Sequence, residues 1–181
     1  MLRIFGRRPD GYHEVATVLQ SVSLCDELSF ELRDDGEIRL TCDDPSIPVD
    51  ESNLIVKAAK TLQGPGANIN LTKRIPAKGG LGGGSSNAAV TLLALDHLWK
   101  KNADLLRIGA TLGADVPFFL IGGCAEAIGT GTDLCSIADV PEKHLIVITP
   151  NAAVSTAEAY AALKRGSLTT SESAFIFSNF F

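Results

Sequence analysis

The sequence predicts an α+β domain, and three observations carry that prediction. Residues 17–42 hold short runs of branched and aromatic side chains separated by turn signals. Helix-forming stretches dominate the middle of the chain. A glycine-rich segment joins one strand to the longest of those helices. The 181 residues suffice for one domain of ordinary size, or one domain and part of a second. With 45% hydrophobic residues, 20% charged residues and a mean hydropathy of +0.18, the chain reads as folded and globular.

The elements follow in order. Residues 17–24, 27–32 and 38–42 read as antiparallel strands, with a turn at Asp34-Asp35-Gly36. Glu51-Ser52-Asn53 caps a helix over 54–62, whose Leu54, Ala58, Ala59 and Leu62 share one stripe. Residues 67–75 alternate as a half-buried strand. Ser85-Ser86-Asn87 is expected to cap a helix over 88–101 with Val90, Leu93, Ala94 and Trp99 on its apolar face, and a second helix spans 104–112. Residues 117–121, 125–128 and 145–149 read as strands, and 157–165 as a helix. The four phenylalanines near the C-terminus show no periodic pattern.

Charge narrows the function. A net charge of -5 with a pI near 5.2 excludes a broad basic face for nucleic acid or an anionic membrane, so an anionic ligand has to be held locally. The longest apolar runs fall well short of the ~20 residues that span a bilayer, and residues 1–10 lack an apolar signal core. Cys25, Cys42, Cys124 and Cys135 stand far apart, without zinc spacing, and are expected to be core thiols of a cytoplasmic protein. No cluster of His, Cys and carboxylate suggests a metal site, and His97 and His144 read as surface residues.

The segment Pro76-Ala77-Lys78-Gly79-Gly80-Leu81-Gly82-Gly83-Gly84-Ser85-Ser86 carries the strongest signal. Five of its positions from 79 to 84 are glycine. Glycine lets the backbone turn sharply and approach a ligand, and the free amides of the following helix favour phosphate. Ser85 and Ser86 add hydroxyls for phosphate oxygens or magnesium-bound water. The segment is not a P-loop of the G-x-x-x-x-G-K-[ST] type, because Gly84 stands where lysine is required. It also lacks the βαβ setting of a dinucleotide fingerprint. Asp115, between Gly113 and Pro117, is either a carboxylate poised for proton transfer or an ordinary capping aspartate.

This glycine segment resembles the Pro-x-x-x-Gly-Leu-Gly-x-x-Ser-Ser loop of the galactokinase, homoserine kinase, mevalonate kinase and phosphomevalonate kinase superfamily. Within it, four stretches in the same order resemble the 4-diphosphocytidyl-2-C-methyl-D-erythritol kinases of non-mevalonate isoprenoid synthesis. They are Gly6-Arg7-Arg8-Pro9-Asp10-Gly11-Tyr12-His13, Asn53-Leu54-Ile55-Val56, Gly80-Leu81-Gly82-Gly83-Gly84-Ser85-Ser86-Asn87-Ala88 and Leu112-Gly113-Ala114-Asp115-Val116-Pro117. The resemblance implies the superfamily's N-terminal domain, of the ribosomal protein S5 domain 2-like fold, over residues 1–150. Residues 151–181 are then the start of a second domain that is otherwise absent. It also implies ATP and Mg2+ as cofactors, a small cytidylyl substrate, and no nucleic-acid or membrane partner.

By the same resemblance, the loop from Pro76 to Ser86 grips the phosphates, Asn53 and Lys73 approach adenine and ribose, and Asp115 is the catalytic carboxylate. Tyr12 stacks on cytosine, His13 bonds its edge, and Tyr160 closes the other face. Taken alone, Tyr12 reads as a core residue, Lys73 as a solvated strand charge and Tyr160 as part of an amphipathic helix. The family's catalytic lysine is expected upstream of the first residue, so the chain is expected to be truncated at both ends. That leaves as alternatives a catalytically silent nucleotide-binding fragment, or a related kinase of the homoserine or mevalonate type. Binding of RNA, suggested by the S5-like fold alone, is disfavoured by the acidic charge.

Overall fold

Seven strands and four helices make up the described residues of the computed structural model, which are 2–77 and 79–148. In chain order they are β1 (Leu2–Arg7), β2 (His13–Gln20), β3 (Glu27–Leu32), β4 (Ile38–Cys42), α1 (Leu54–Leu62), β5 (Ala67–Thr72), α2 (Gly83–Trp99), α3 (Leu105–Leu112), α4 (Val116–Ile121), β6 (Cys124–Gly129) and β7 (Asp133–Ile137). One sheet is wholly antiparallel, in the order β1-β2-β6-β7. The other has the order β3-β5-β4, with β3 antiparallel and β4 parallel to β5. The α+β class is the expected one, but the sequence predicts 38–42 as an antiparallel strand and β4 instead runs parallel to β5, with α1 in the connection between them.

The core lies between α1, α2 and the second sheet. Along β5, Ala67, Ile69 and Leu71 are buried while Asn68, Asn70 and Thr72 take the other face, as the alternation predicts. Ile55, Ala58, Ala59 and Leu62 of α1 meet Ala88, Leu92 and Leu95 of α2 in the same cluster. Burying each large side chain there contributes on the order of 1.5–3 kcal/mol. Asn53 caps α1 by accepting the Ile55 amide at 2.9 Å, and Asp104 caps α3 by accepting that of Arg107 at 3.1 Å.

Several expectations are corrected. The run 117–121 is not a strand but most of α4, because Pro117 sits in the first turn, where its fixed φ and missing amide suit a helix. A short apolar run cannot by itself distinguish the two. Helix α2 starts at Gly83, so Ser85 and Ser86 lie inside its first turns and do not cap it. Its buried positions are Asn87, Ala88, Ala89, Thr91, Leu92 and Leu95, whereas Val90 and Leu93 are exposed. The apolar residues surround α2 so broadly that periodicity does not fix its inner face.

Residues 145–148 form no strand, and Leu145, Ile146, Val147 and Ile148 are exposed. The sequence reading missed β7. Only Cys124 is a buried thiol; Cys42 is half-buried and Cys25 and Cys135 are exposed. The expected helix over 157–165 and the C-terminal phenylalanines lie outside the described residues. No helix among the described residues is long and apolar enough to cross a membrane.

Gly64 follows the end of α1, where the Trp99 ring covers it. A Cβ added at Gly64 would stand 2.1 Å from Trp99 Cδ2 and Cε3. Gly64→Ala is therefore expected to destabilise the protein by about 1–3 kcal/mol through overpacking. Urea unfolding followed by circular dichroism measures it, and an unchanged midpoint would contradict the packing described.

Candidate functional site

The glycine segment leaves β5 and ends in the first turn of α2. Gly82 takes φ +67° at the helix N-cap, a left-handed conformation that costs glycine little. A Cβ there would also stand 2.7 Å from the edge of the Phe119 ring, so glycine lets the loop lie against α4. The Ser86 amide closes the first turn onto Gly82 O at 2.8 Å. The amides of Gly83, Gly84 and Ser85 find no acceptor among the described residues, as at any uncapped helix start. They carry the positive end of the helix dipole.

These residues line a hollow of about 350 Å³. Its walls include Asn53, Lys73, Pro76, Ala77, Gly79, Gly80, Leu81, Gly82, Gly83, Gly84 and Ser85, together with Asn87 and the apolar Ile47, Leu54 and Leu71. The predicted phosphate and nucleoside residues are thus brought to one hollow, apart from Ser86, which does not line it. Lys78 lies outside the described residues. Asn53 lines this hollow while its Nδ2 donates to Pro48 O at 2.6 Å and its Oδ1 caps α1, so it is both a cap and a wall.

Lys73 is not the solvated strand charge that the sequence suggests. It stands just beyond β5, its side chain 9% exposed, and its ammonium donates to both oxygens of Asp26, at 3.0 and 2.8 Å, and to the Ile75 carbonyl. The Asp26 side chain is 1% exposed and also accepts from the amides of Arg74 and Ile75, each at 2.7 Å, and from Asn87 Nδ2 at 2.8 Å. Burial by itself would raise the Asp26 carboxyl. The hydrogen bonds from Lys73, Ile75, Arg74 and Asn87 outweigh it and hold the group below the usual aspartate range. Sequence reasoning missed Asp26, since its partners lie about 50 to 60 residues away and no local pattern marks it.

A second hollow, of about 580 Å³, opens on the other side of the loop. Gly80, Leu81 and Gly82 line both. Asp115 and Ser86 line this second one, with Val15, Thr17 and Leu19 of β2 and Phe118 and Phe119 of α4. Asp115 precedes α4 at its N-cap position but makes no side-chain capping bond, and it is exposed. The ordinary capping role therefore does not account for it. With no side-chain partner among the described residues, the Asp115 carboxylate lines a cavity whose rim is the glycine loop.

Tyr12 and His13 occupy the β1–β2 hairpin. The Arg8 amide donates to Tyr12 O at 2.7 Å, Gly11 N to Arg8 O at 3.0 Å, and the Tyr12 amide to Asp10 Oδ1 at 3.1 Å. Arg8 bonds Asp10 at 3.0 Å and Glu14 at 2.7 Å, which ties the turn down. Tyr12 is 67% exposed, so it is not the core residue that its type alone suggests. Neither residue lines the two hollows. His13 does share strand parity with Val15, Thr17 and Leu19, which places it further along the β2 face that walls the second hollow. Tyr160 lies outside the described residues.

Comparison with known proteins places this geometry. Residues 53–123 match the family described as GHMP kinases N terminal domain, a span that holds the loop and Asp115. The chain is 53% identical to the 4-diphosphocytidyl-2-C-methyl-D-erythritol kinase of Pseudomonas savastanoi pv. phaseolicola, over 89% of this chain and 58% of that protein. It is 48% identical to the kinase of the same name from Cupriavidus necator, over 88% of this chain and 57% of the relative. A crystal structure of 4-(cytidine 5'-diphospho)-2C-methyl-D-erythritol kinase superposes with a TM-score of 0.63 at 42% identity, covering 76% of this chain and 55% of that one. The chain thus spans a little under three fifths of the curated relatives it matches.

The Asp26–Lys73 pair makes stability depend on pH. Because the folded carboxyl sits below its unfolded value of about 3.9, its contribution is fully present above that pH and is lost as pH falls through the folded value. Acid titration of stability is expected to show a loss beginning below about pH 4 that Asp26→Asn flattens. An unchanged acid limb in the variant would contradict the bonding described.

Proposed function

We propose that the chain carries the N-terminal domain of the GHMP kinases and belongs to a kinase transferring the γ-phosphoryl group of ATP to the 2-hydroxyl of 4-diphosphocytidyl-2-C-methyl-D-erythritol. The observation that carries this reading is the pair of hollows meeting at the glycine loop, with unpartnered helix amides in one and the uncapped Asp115 in the other. Such an arrangement sets a phosphate donor and a hydroxyl acceptor on either side of a common rim.

In this reading the amides of Gly83, Gly84 and Ser85 hold phosphate oxygens, and the loop from Pro76 to Ser86 excludes water from them. Asn53 and Lys73 stand near the nucleoside. The substrate hydroxyl oxygen attacks the γ-phosphorus, the bond from that phosphorus to the β–γ bridging oxygen breaks, and ADP leaves. Asp115 orients the hydroxyl and accepts its proton. Phosphoryl transfer asks mostly for positioning and charge stabilisation, which two adjoining hollows supply.

Tyr12 stacks on the cytosine and His13 bonds its edge, with Tyr160 as the second aromatic face. Magnesium brought in with ATP would supply charge neutralisation at the phosphate oxygens. The hydroxyls of Ser85 and Ser86 suit a cation that keeps most of its water, and no group of three or more His, Cys, Asp or Glu among the described residues offers a cage. Residues 1–150 form the ATP-gripping domain and 151–181 begin the next. The described cysteines are all free thiols, in keeping with a cytoplasmic enzyme.

Transfer of labelled γ-phosphate to the cytidylyl substrate, measured beside calorimetry with a nonhydrolysable ATP analogue, tests the assignment. Asp115→Asn is expected to lower kcat by about 10²–10⁴-fold with analogue affinity within twofold. Unaltered turnover in Asp115→Asn would remove the catalytic role. Analogue binding without turnover by the unsubstituted chain would favour a nucleotide-binding unit alone.

A further inference from the structure

The wall between the two hollows is built around one carboxylate. Asp26 lies directly before β3, and its Oδ1 accepts from Lys73 Nζ at 3.0 Å and from the amides of Arg74 and Ile75 at 2.7 Å each. Its Oδ2 accepts from Lys73 Nζ at 2.8 Å and Asn87 Nδ2 at 2.8 Å. Lys73 and Asn87 line the smaller hollow, whereas Ile75 and the neighbouring Cys25 line the larger. Asp26 thus touches the chain entering the glycine loop, at residues 73–75, and the helix leaving it, at Asn87.

Lys73 is spent on this contact. An ammonium has three N–H donors, and Lys73 directs them at Asp26 and the Ile75 carbonyl. It can act on a bound anion only through space. It is placed for that, since a Cβ on Gly83 would stand 3.5 Å from Lys73 Nζ. The backbone of Asn87 is held within α2, where its main-chain carbonyl accepts the buried Thr91 hydroxyl at 2.7 Å. A carboxylate in this position fixes both ends of a segment rich in glycine, which has little stiffness of its own.

We infer that Asp26 is a positioning residue for the phosphate seat, holding Lys73 and Asn87 so that the loop keeps the shape its ligand requires. The inference rests on the nucleotide reading above only in taking a polyphosphate as the occupant of the smaller hollow. It goes beyond it in assigning affinity to a side chain that touches no ligand. A carboxylate that only stabilised the fold would alter the folded fraction and leave the affinity of the folded molecules unchanged.

The test is calorimetric titration of a nonhydrolysable ATP analogue into the chain and its variants, with folding checked by circular dichroism. Asp26→Asn keeps the size but turns one acceptor into a donor facing Lys73 or Asn87. Its Kd is expected to rise at least fivefold, as is that of Lys73→Met, and the double variant is expected to bind no worse than the weaker single one. Where Asp26→Asn does not fold, Asn87→Ala carries the test, with an expected rise of at least threefold. A folded Asp26→Asn or Asn87→Ala within twofold of the unsubstituted chain overturns the inference, as do single effects that simply multiply in the double variant. An unsubstituted chain that binds no analogue overturns the nucleotide reading itself and the inference with it.

Discussion

The amides of Gly83, Gly84 and Ser85 find no acceptor among the described residues, and everything proposed for the chain depends on their staying so. What holds them in place is burial further along the same helix. Ala88, Ala89, Leu92 and Leu95 are locked into the core against α1 and β5, so the start of α2 is aimed by side chains well removed from it. An acidic chain of net charge -5 thereby keeps a local region of positive potential without a basic surface.

Close packing transmits this arrangement across the site. The Gly82 contact with Phe119 brings the loop against α4, and α4 starts directly after Asp115. Gly109 lets α3 approach the same helix, since a Cβ there would lie 3.0 Å from Leu120 Cδ1 and 3.1 Å from Val116 Cγ1. Asp115 is thus carried by a short helix wedged between α3 and the loop. Its relation to the phosphate seat is set by two glycine contacts and by the burial of Val116, Pro117 and Phe118.

Where a local pattern existed, the sequence was readable. The alternation in β5, the Asn53 cap, the helix ending at Leu112 and the glycine run all correspond to what the structure holds. Short apolar stretches were less legible: 117–121 is the same length as a strand, and only the tolerance of a first helical turn for Pro117 distinguishes the two. Helix α2 carries apolar residues around most of its circumference, so which face turned inward depended on packing. The glycine loop and Asp115 stood out in the sequence because the residue types that mark them lie close together along the chain, and the structure sets them at adjoining hollows. Asp26 was not, because its role is created by partners brought together only on folding.

The central claim is that the amides opening α2 seat a polyphosphate, and they are most directly observed by nuclear magnetic resonance. In a titration of the ¹⁵N-labelled chain with a nonhydrolysable ATP analogue, the largest amide shifts are expected at Gly83, Gly84 and Ser85 and in the adjoining glycines of the loop. Saturable shifts confined to other surfaces, with those amides unmoved, would contradict the account.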